Sequence, residues 1–277
     1  MKHLILIILL WSSTLLTQAQ RPKVCRDIQY AEIDSVESKW HQLDVYYPGD
    51  NSALKPVLIF IHGGSWESGK KETYRLLGKN MAKSGVVTVI INYRLTEVAM
   101  IQDMVHDSEK ALEWTLANIK NYGGDPDQIT VSGHSAGGHL AAMISVGKLS
   151  NSVSAIMLID AFGLDMITYF QNYDTKFSRG LYNTFSEDPE VWKAYSPVYQ
   201  LSENLKTPFL ILEGERTYPA IKQGDQAMYK SLQLHEIPVS MHVSDRKKHA
   251  PMITQFFLGS NSIYGVVLPF IKGEVEQ

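Results

Sequence analysis

An α/β fold on a mostly parallel central sheet is what this sequence predicts, with antiparallel strands at its N-terminal edge and helices on both faces. Three observations carry that expectation. Residues 57–61 and 86–91 are unbroken apolar runs, the pattern of strands buried on both faces, and residues 72–83 between them read as a helix, so the three form a β-α-β unit. Residues 129–142 pass from a β-branched run through a glycine-flanked serine into a run of Ala, Leu and Met, which is a strand, a sharp turn and a helix. Ahead of both, residues 28–34 and 40–47 alternate apolar with polar, as paired antiparallel strands do, and Pro48-Gly49-Asp50-Asn51 supplies the turn that ends them.

The remaining elements follow in order. An amphipathic helix is expected from about residue 102 to 118, stopped by Asn121-Tyr122-Gly123-Gly124-Asp125-Pro126, and it leads into the strand before Ser135. Residues 155–159 are another buried strand. The stretch from 161 to 202 lacks such runs and is rich in aromatic and polar residues, so it reads as a cap inserted between strands, where substrate selection is placed. Residues 208–212 resume the sheet, 220–233 form a covering helix, 239–243 a last strand, and 251–272 a broken terminal helix. No repeat or linker divides the chain, so residues 20–277 are expected to form a single domain.

Composition narrows the function. The chain has 277 residues, 44% of them hydrophobic and 20% charged, enough for a large α/β core. A formal charge of -3 argues against nucleic acid as a partner. Residues 1–19 carry a basic start, an apolar stretch from Leu4 to Trp11 and small residues before Gln20, the organisation of a secretory signal peptide. An exported product is therefore expected, with no stable membrane insertion after cleavage. Cys25 is the only cysteine, which rules out an internal disulfide, and no lipid-attachment pattern precedes it. The nine histidines show no metal-ligand spacing, so neither metal nor cofactor is expected.

The chemistry is concentrated in Gly133-His134-Ser135-Ala136-Gly137. At such an elbow the serine adopts a strained conformation that lifts Oγ clear of the sheet, and its neighbours must be glycine to avoid strand and helix. Its place at a helix N-terminus also favours negative charge. Ser135 is thus the candidate nucleophile. His62-Gly63-Gly64-Ser65-Trp66, directly after the 57–61 strand, is a glycine-rich turn able to expose backbone N–H groups. Acyl transfer needs such donors on the carbonyl oxygen that becomes negative, each contributing about 2.7–4 kcal/mol. The N–H groups of Gly64, Ser65 and Ala136 are the candidates, and His62 itself is expected to brace the turn. For the base, His249 follows the last strand, at a strand end from which it can reach Ser135. His242, its rival, lies inside that strand. Pro251 suits the first turn of the following helix and fixes the loop carrying His249.

These motifs, with Asn92-Tyr93-Arg94, Gly123-Gly124-Asp125-Pro126 and Ser196-Pro197, resemble the carboxylesterase and kynurenine-formamidase-like branch of the α/β-hydrolases. The resemblance implies an α/β-hydrolase fold and a Ser-His-acid triad that cleaves a small or medium carboxylic ester, or a formamide, through an acyl-enzyme without a cofactor. It departs at the acid. The loop Leu212-Glu213-Gly214-Glu215-Arg216-Thr217-Tyr218-Pro219 carries Thr217 where that family has aspartate, and Arg246-Lys247-Lys248 replaces its glycine and acidic residue before the histidine. A threonine hydroxyl can accept a hydrogen bond from imidazole but cannot neutralise an imidazolium. Glu215 is the first substitute, Asp160 at the end of the sixth strand the rival, and Asp165 and Asp225 weaker ones. Loss of the acid costs roughly 10⁴-fold in kcat, so a slow enzyme and a weakened fold retained for ligand or partner binding are both open.

Overall fold

The computed structural model describes residues 21–32, 36–50, 53–173 and 175–274. The expected leader at 1–19, Gln20, the last two residues of the first expected strand and Asn51 of the first turn lie outside the described residues.

Among the described residues, eight strands form one sheet in the order β1-β2-β4-β3-β5-β6-β7-β8. They are β1 (Lys23–Gln29), β2 (Gln42–Tyr47), β3 (Lys55–Ile61), β4 (Val87–Ile91), β5 (Gly124–His134), β6 (Ala155–Ile159), β7 (Phe209–Gly214) and β8 (Val239–Ser244). β2 runs antiparallel to both β1 and β4, and every pair from β4 through β8 is parallel. The architecture is the α/β-hydrolase fold.

The apolar runs are buried on both faces because alternate residues enter different cores. Val57, Ile59 and Ile61 pack with Leu112 of α2 (Ile101–Asn118), Leu140 of α3 (Ala136–Val146) and Met228 of α8 (Pro219–Leu234). Leu58 and Phe60 point the other way, against Leu77 and Met81 of α1 (Arg75–Lys83), Met252 of α9 (His249–Thr254) and Val267 of α10 (Tyr264–Ile271). Each such side chain contributes about 1.5–3 kcal/mol by leaving water. A single polar substitution in β3 therefore damages one core or the other.

The first strand lies earlier than its alternation suggests. β1 pairs Lys23 with Tyr47 and Cys25 with Val45, and a bulge intervenes before Ile28 pairs with Leu43. Asp27 takes a positive φ of 55° there, its N–H bonds to Asp44 Oδ1 at 3.1 Å, and its carboxylate meets the buried Lys71 at 2.5 Å. Tertiary pairing of Asp27 thus outweighs the local pattern that placed the strand at 28–34.

Between β6 and β7 the described residues form four short α-helices: α4 (Met166–Asn172), α5 (Lys176–Gly180), α6 (Tyr182–Phe185) and α7 (Pro189–Ala194). Its aromatics divide into two groups. Phe170, Tyr182 and Trp192 pack together, with Phe170 and Trp192 centroids 4.5 Å apart, and Phe185 packs on Trp66 at 4.9 Å. Tyr169, Tyr173 and Phe177 instead face the cavity above the sheet.

Candidate active site

Ser135 stands between β5 and α3 with φ 56° and ψ -123°, a conformation that L-residues rarely adopt. Its neighbours show why glycine is required. A Cβ on Gly133 would meet Gly137 O at 2.2 Å, and one on Gly137 would meet Ile61 O at 2.1 Å. The serine is tied down by its own backbone, whose N–H bonds to Ile159 O at 3.2 Å and whose carbonyl accepts from Phe162 N–H at 3.1 Å.

The glycine-rich turn after β3 abuts this elbow. A Cβ on Gly63 would lie 3.2 Å from Ser135 Cβ and 2.6 Å from His134 O. Gly64, Ser65 and Trp66 take successive positive φ values of 131°, 55° and 60°. Gly64 O is turned inward to accept from Glu67 and Ser68 N–H, and the Trp66 ring is wholly buried against His139, Phe162 and Phe185. His62 stacks on Tyr93 at 4.4 Å, donates from Nδ1 to Gly63 O at 2.9 Å, and is held at a pKa of about 4 by burial. It braces the turn in neutral form. The segment after β4 supports it from outside: Tyr93 OH donates to His62 O at 3.1 Å, and Arg94 forms a buried ion pair with Asp107 of α2 at 2.8 Å.

His249 opens α9 and lines the same cavity as Ser65 and Ser135. Its Nδ1 lies 2.6 Å from Asp160 Oδ2, with the imidazole 21% exposed and the carboxylate fully buried. Asp160 directly follows β6, at a positive φ of 47°. Its remaining acceptor capacity is met by Gly214 N–H on Oδ1 at 2.8 Å and by the Thr217 hydroxyl on Oδ2. Imidazole and carboxylate therefore form a pair placed by three separate loops.

Glu215, the first substitute for the missing aspartate, does not reach His249. It is exposed, and its Oε2 accepts from the backbone N–H of Arg246 at 2.5 Å, so it fastens one surface loop to the next. Thr217 likewise donates to Asp160 rather than accepting from imidazole. Asp165 caps α4 by accepting from Thr168 N–H at 3.0 Å. Asp225 is buried inside α8, where desolvation and the nearby Asp160 and Glu213 push its carboxyl well above the usual range. His242 stays within β8, opposite Leu212 of β7. Arg246 and Lys248 are exposed, and Lys247 O accepts from Arg216 N–H.

One contact had no expectation behind it. His134, next to the elbow serine, stacks on His249 with centroids 4.5 Å apart and donates from Nε2 to His249 O at 3.2 Å. Burial, then the positive charge His249 can carry, lowers its pKa to about 3. A neutral ring thus backs the imidazole. The only sequence signal for it was its place inside the elbow, which tells nothing of the fold 115 residues later.

The cavity over these groups has a volume of about 470 Å³, with Phe162, Tyr169, Tyr173, Phe177, Tyr218 and Ile221 as its apolar walls. Among the described residues, no group of three or more His, Cys, Asp or Glu could hold a metal ion, and no helix is long and apolar enough to cross a membrane.

Comparison with known proteins bears on the family and the fold. The sequence model of the family described as BD-FAE matches residues 43–226. A probable isoprenylcysteine alpha-carbonyl methylesterase, ICMEL1 of Oryza sativa subsp. japonica, is 27% identical over 253 residues, covering 84% of this chain and 58% of its own length. The esterase LipQ of Mycobacterium tuberculosis is 30% identical over 177 residues, covering 58% of this chain and 42% of its own. The chain thus spans about three fifths or less of these relatives. Among solved structures, esterase B of Lactobacillus rhamnosis superposes with a TM-score of 0.76 at 18% identity, over 92% of this chain and 86% of that one, which is a likeness of fold.

Proposed function

The chain belongs to the BD-FAE family of α/β-hydrolases, and from that premise we propose that it is a serine carboxylic ester hydrolase acting through Ser135, His249 and Asp160. The observation that carries this reading is the 2.6 Å contact of His249 Nδ1 with Asp160 Oδ2, made by an imidazole that lines one cavity with Ser135. Nδ1–H is held by the carboxylate, which leaves Nε2 as the basic nitrogen. Ser135 Oγ attacks the ester carbonyl carbon while Nε2 takes its proton, and Asp160 stabilises the imidazolium that forms. The carbonyl oxygen, now negative, is received by the N–H groups of Gly64, Ser65 and Ala136. The C–O bond then breaks, the alcohol leaves with the proton from Nε2, and water repeats the sequence on the acyl-enzyme.

The apolar, aromatic walls favour a small or medium uncharged acyl group, and the names of the curated relatives also point to esters. Export is proposed on the organisation of residues 1–19. Formamide cleavage uses the same machinery and is separated from ester cleavage by comparing aryl acetates with formyl anilides. A binding-only role is the less supported reading, because it depends on His249 having no carboxylate.

A fluorophosphonate probe tests the proposal. The folded protein is expected to be labelled covalently, to turn over p-nitrophenyl acetate or butyrate, and to lose both in Ser135→Ala. Folded wild-type protein that neither labels nor turns over any aryl ester would overturn it.

A further inference from the structure

The Asp160 carboxylate sits in crowded acidic company. It is wholly buried, and two other acids face it: Glu213 from β7, with one carboxylate oxygen unpartnered, and Asp225 from α8, with both oxygens unpartnered. Both feel Asp160 as a like charge, and burial is the larger reason that each is pushed toward its neutral form. The positive groups nearby are Lys222 of α8, which acts on Glu213 and bonds to Glu215 O, and His249 itself, backed by neutral His134. An anion so placed needs donors that stay put.

The donors are Gly214 N–H, His249 Nδ1 and the Thr217 hydroxyl. Thr217 differs from the other two in a way that bears on the reaction. It donates to Oδ2, the same oxygen that accepts from His249, whereas Gly214 holds Oδ1. Its side chain is nearly buried, and its own N–H is fixed to Gly214 O at 3.0 Å, so the hydroxyl is delivered from a closed turn. Gly214 fixes one carboxylate oxygen; Thr217 fixes the direction of the one that matters.

We propose that Thr217 is a positioning residue for the reaction, its hydroxyl orienting Asp160 Oδ2 toward His249 and sharing the negative charge of that oxygen. This inference rests on the proposed esterase reading. A hydrogen bond to a charged group that is removed without replacement weakens the catalytic pair about ten- to a hundredfold. The direction of the pH effect also follows. Without the hydroxyl the carboxylate is the stronger acceptor, so the His249–Asp160 pair holds its proton more tightly.

The test compares Thr217→Val, which keeps the shape and loses the hydroxyl, with Thr217→Ser, which keeps the hydroxyl, each checked for folding by near-UV circular dichroism. Expected for Thr217→Val is a fall in kcat of about tenfold or more with KM little changed, and an acidic limb of kcat/KM displaced to higher pH. Thr217→Ser should restore both. Should Thr217→Val fail to fold, Thr217→Ala is read in the same way. Folded Thr217→Val or Thr217→Ala with wild-type kcat and an unmoved acidic limb would overturn the inference, as would Thr217→Ser as impaired as the valine variant. These results are distinct from failure of the esterase reading itself, in which the wild-type protein shows no turnover and no labelling.

Discussion

The site has two halves that were written into the chain differently. On the nucleophile side, a single run of residues from Gly133 to Gly138 makes the strand end, the strained serine and the helix start, and the adjoining turn comes so near that a Cβ on Gly63 would lie 3.2 Å from Ser135 Cβ. On the acid side, Asp160 from the end of β6, Gly214 closing β7, Thr217 from the loop after it, and His249 from the start of α9 meet across more than fifty positions of sequence. The first half is dictated by backbone sterics, where only glycine avoids an atom 2.1 Å away. The second is dictated by which strand end a carboxylate happens to extend, and neighbouring strands of a parallel sheet offer equivalent places. Backbone necessity constrains residue type at a fixed position, whereas charge placement admits several solutions.

The histidines repeat the contrast. His62, His134 and His139 bond to backbone carbonyls and are kept neutral by burial, with pKa values lowered to about 4, 3 and 4. His249 bonds to a carboxylate. The first three brace the scaffold, and the fourth, which lines the cavity, is the one proposed to carry the proton.

The largest expected effect strikes the nucleophile half. Ser135→Ala should lower kcat by about 10⁶-fold while leaving the melting temperature within a few degrees, measured on an aryl ester. Gly137→Ala should act on the fold, because the added methyl meets Ile61 O; a loss of more than about 3 kcal/mol, near 10 °C in Tm, is expected in thermal unfolding. If Gly137→Ala were as stable as wild type, backbone necessity would not separate the two halves.

A pH series sharpens the comparison further. The unfolded chain takes up protons at His62, His134 and His139 near pH 6.5, whereas the folded chain does so only near pH 4 or 3. Their contribution is therefore intact above pH 6.5 and is lost as pH falls toward 4, at up to about 1.4 kcal/mol per pH unit for each histidine. Denaturant midpoints at pH 7.5 and 5 should show the fall, and His139→Gln should flatten it. The smallest effect belongs to the cavity wall. Phe177→Ala, at the exposed edge of the pocket, should raise KM about fivefold for a butyrate ester, with kcat nearly unchanged.

Much of the fold was legible because burial on both faces leaves continuous apolar runs, as at residues 57–61, and because Gly133 and Gly137 admit no substitute. The first strand was displaced because Asp27 bonds to Asp44 and Lys71, partners that no local alternation reveals. Glu215 looked suitable because it shares a loop with the expected acid position, yet proximity along that loop says nothing of direction, and its carboxylate turns to Arg246 N–H. His134 is a related case. Its partner is brought to it by the last loop before α9.

Side-by-side kinetics of Asp160→Asn and Glu215→Gln test the central claim most directly. Asp160→Asn should lose about 10⁴-fold in kcat, and Glu215→Gln should stay within about twofold of wild type. A severe loss in Glu215→Gln beside a nearly unimpaired Asp160→Asn would contradict the assignment of the acid to the end of β6.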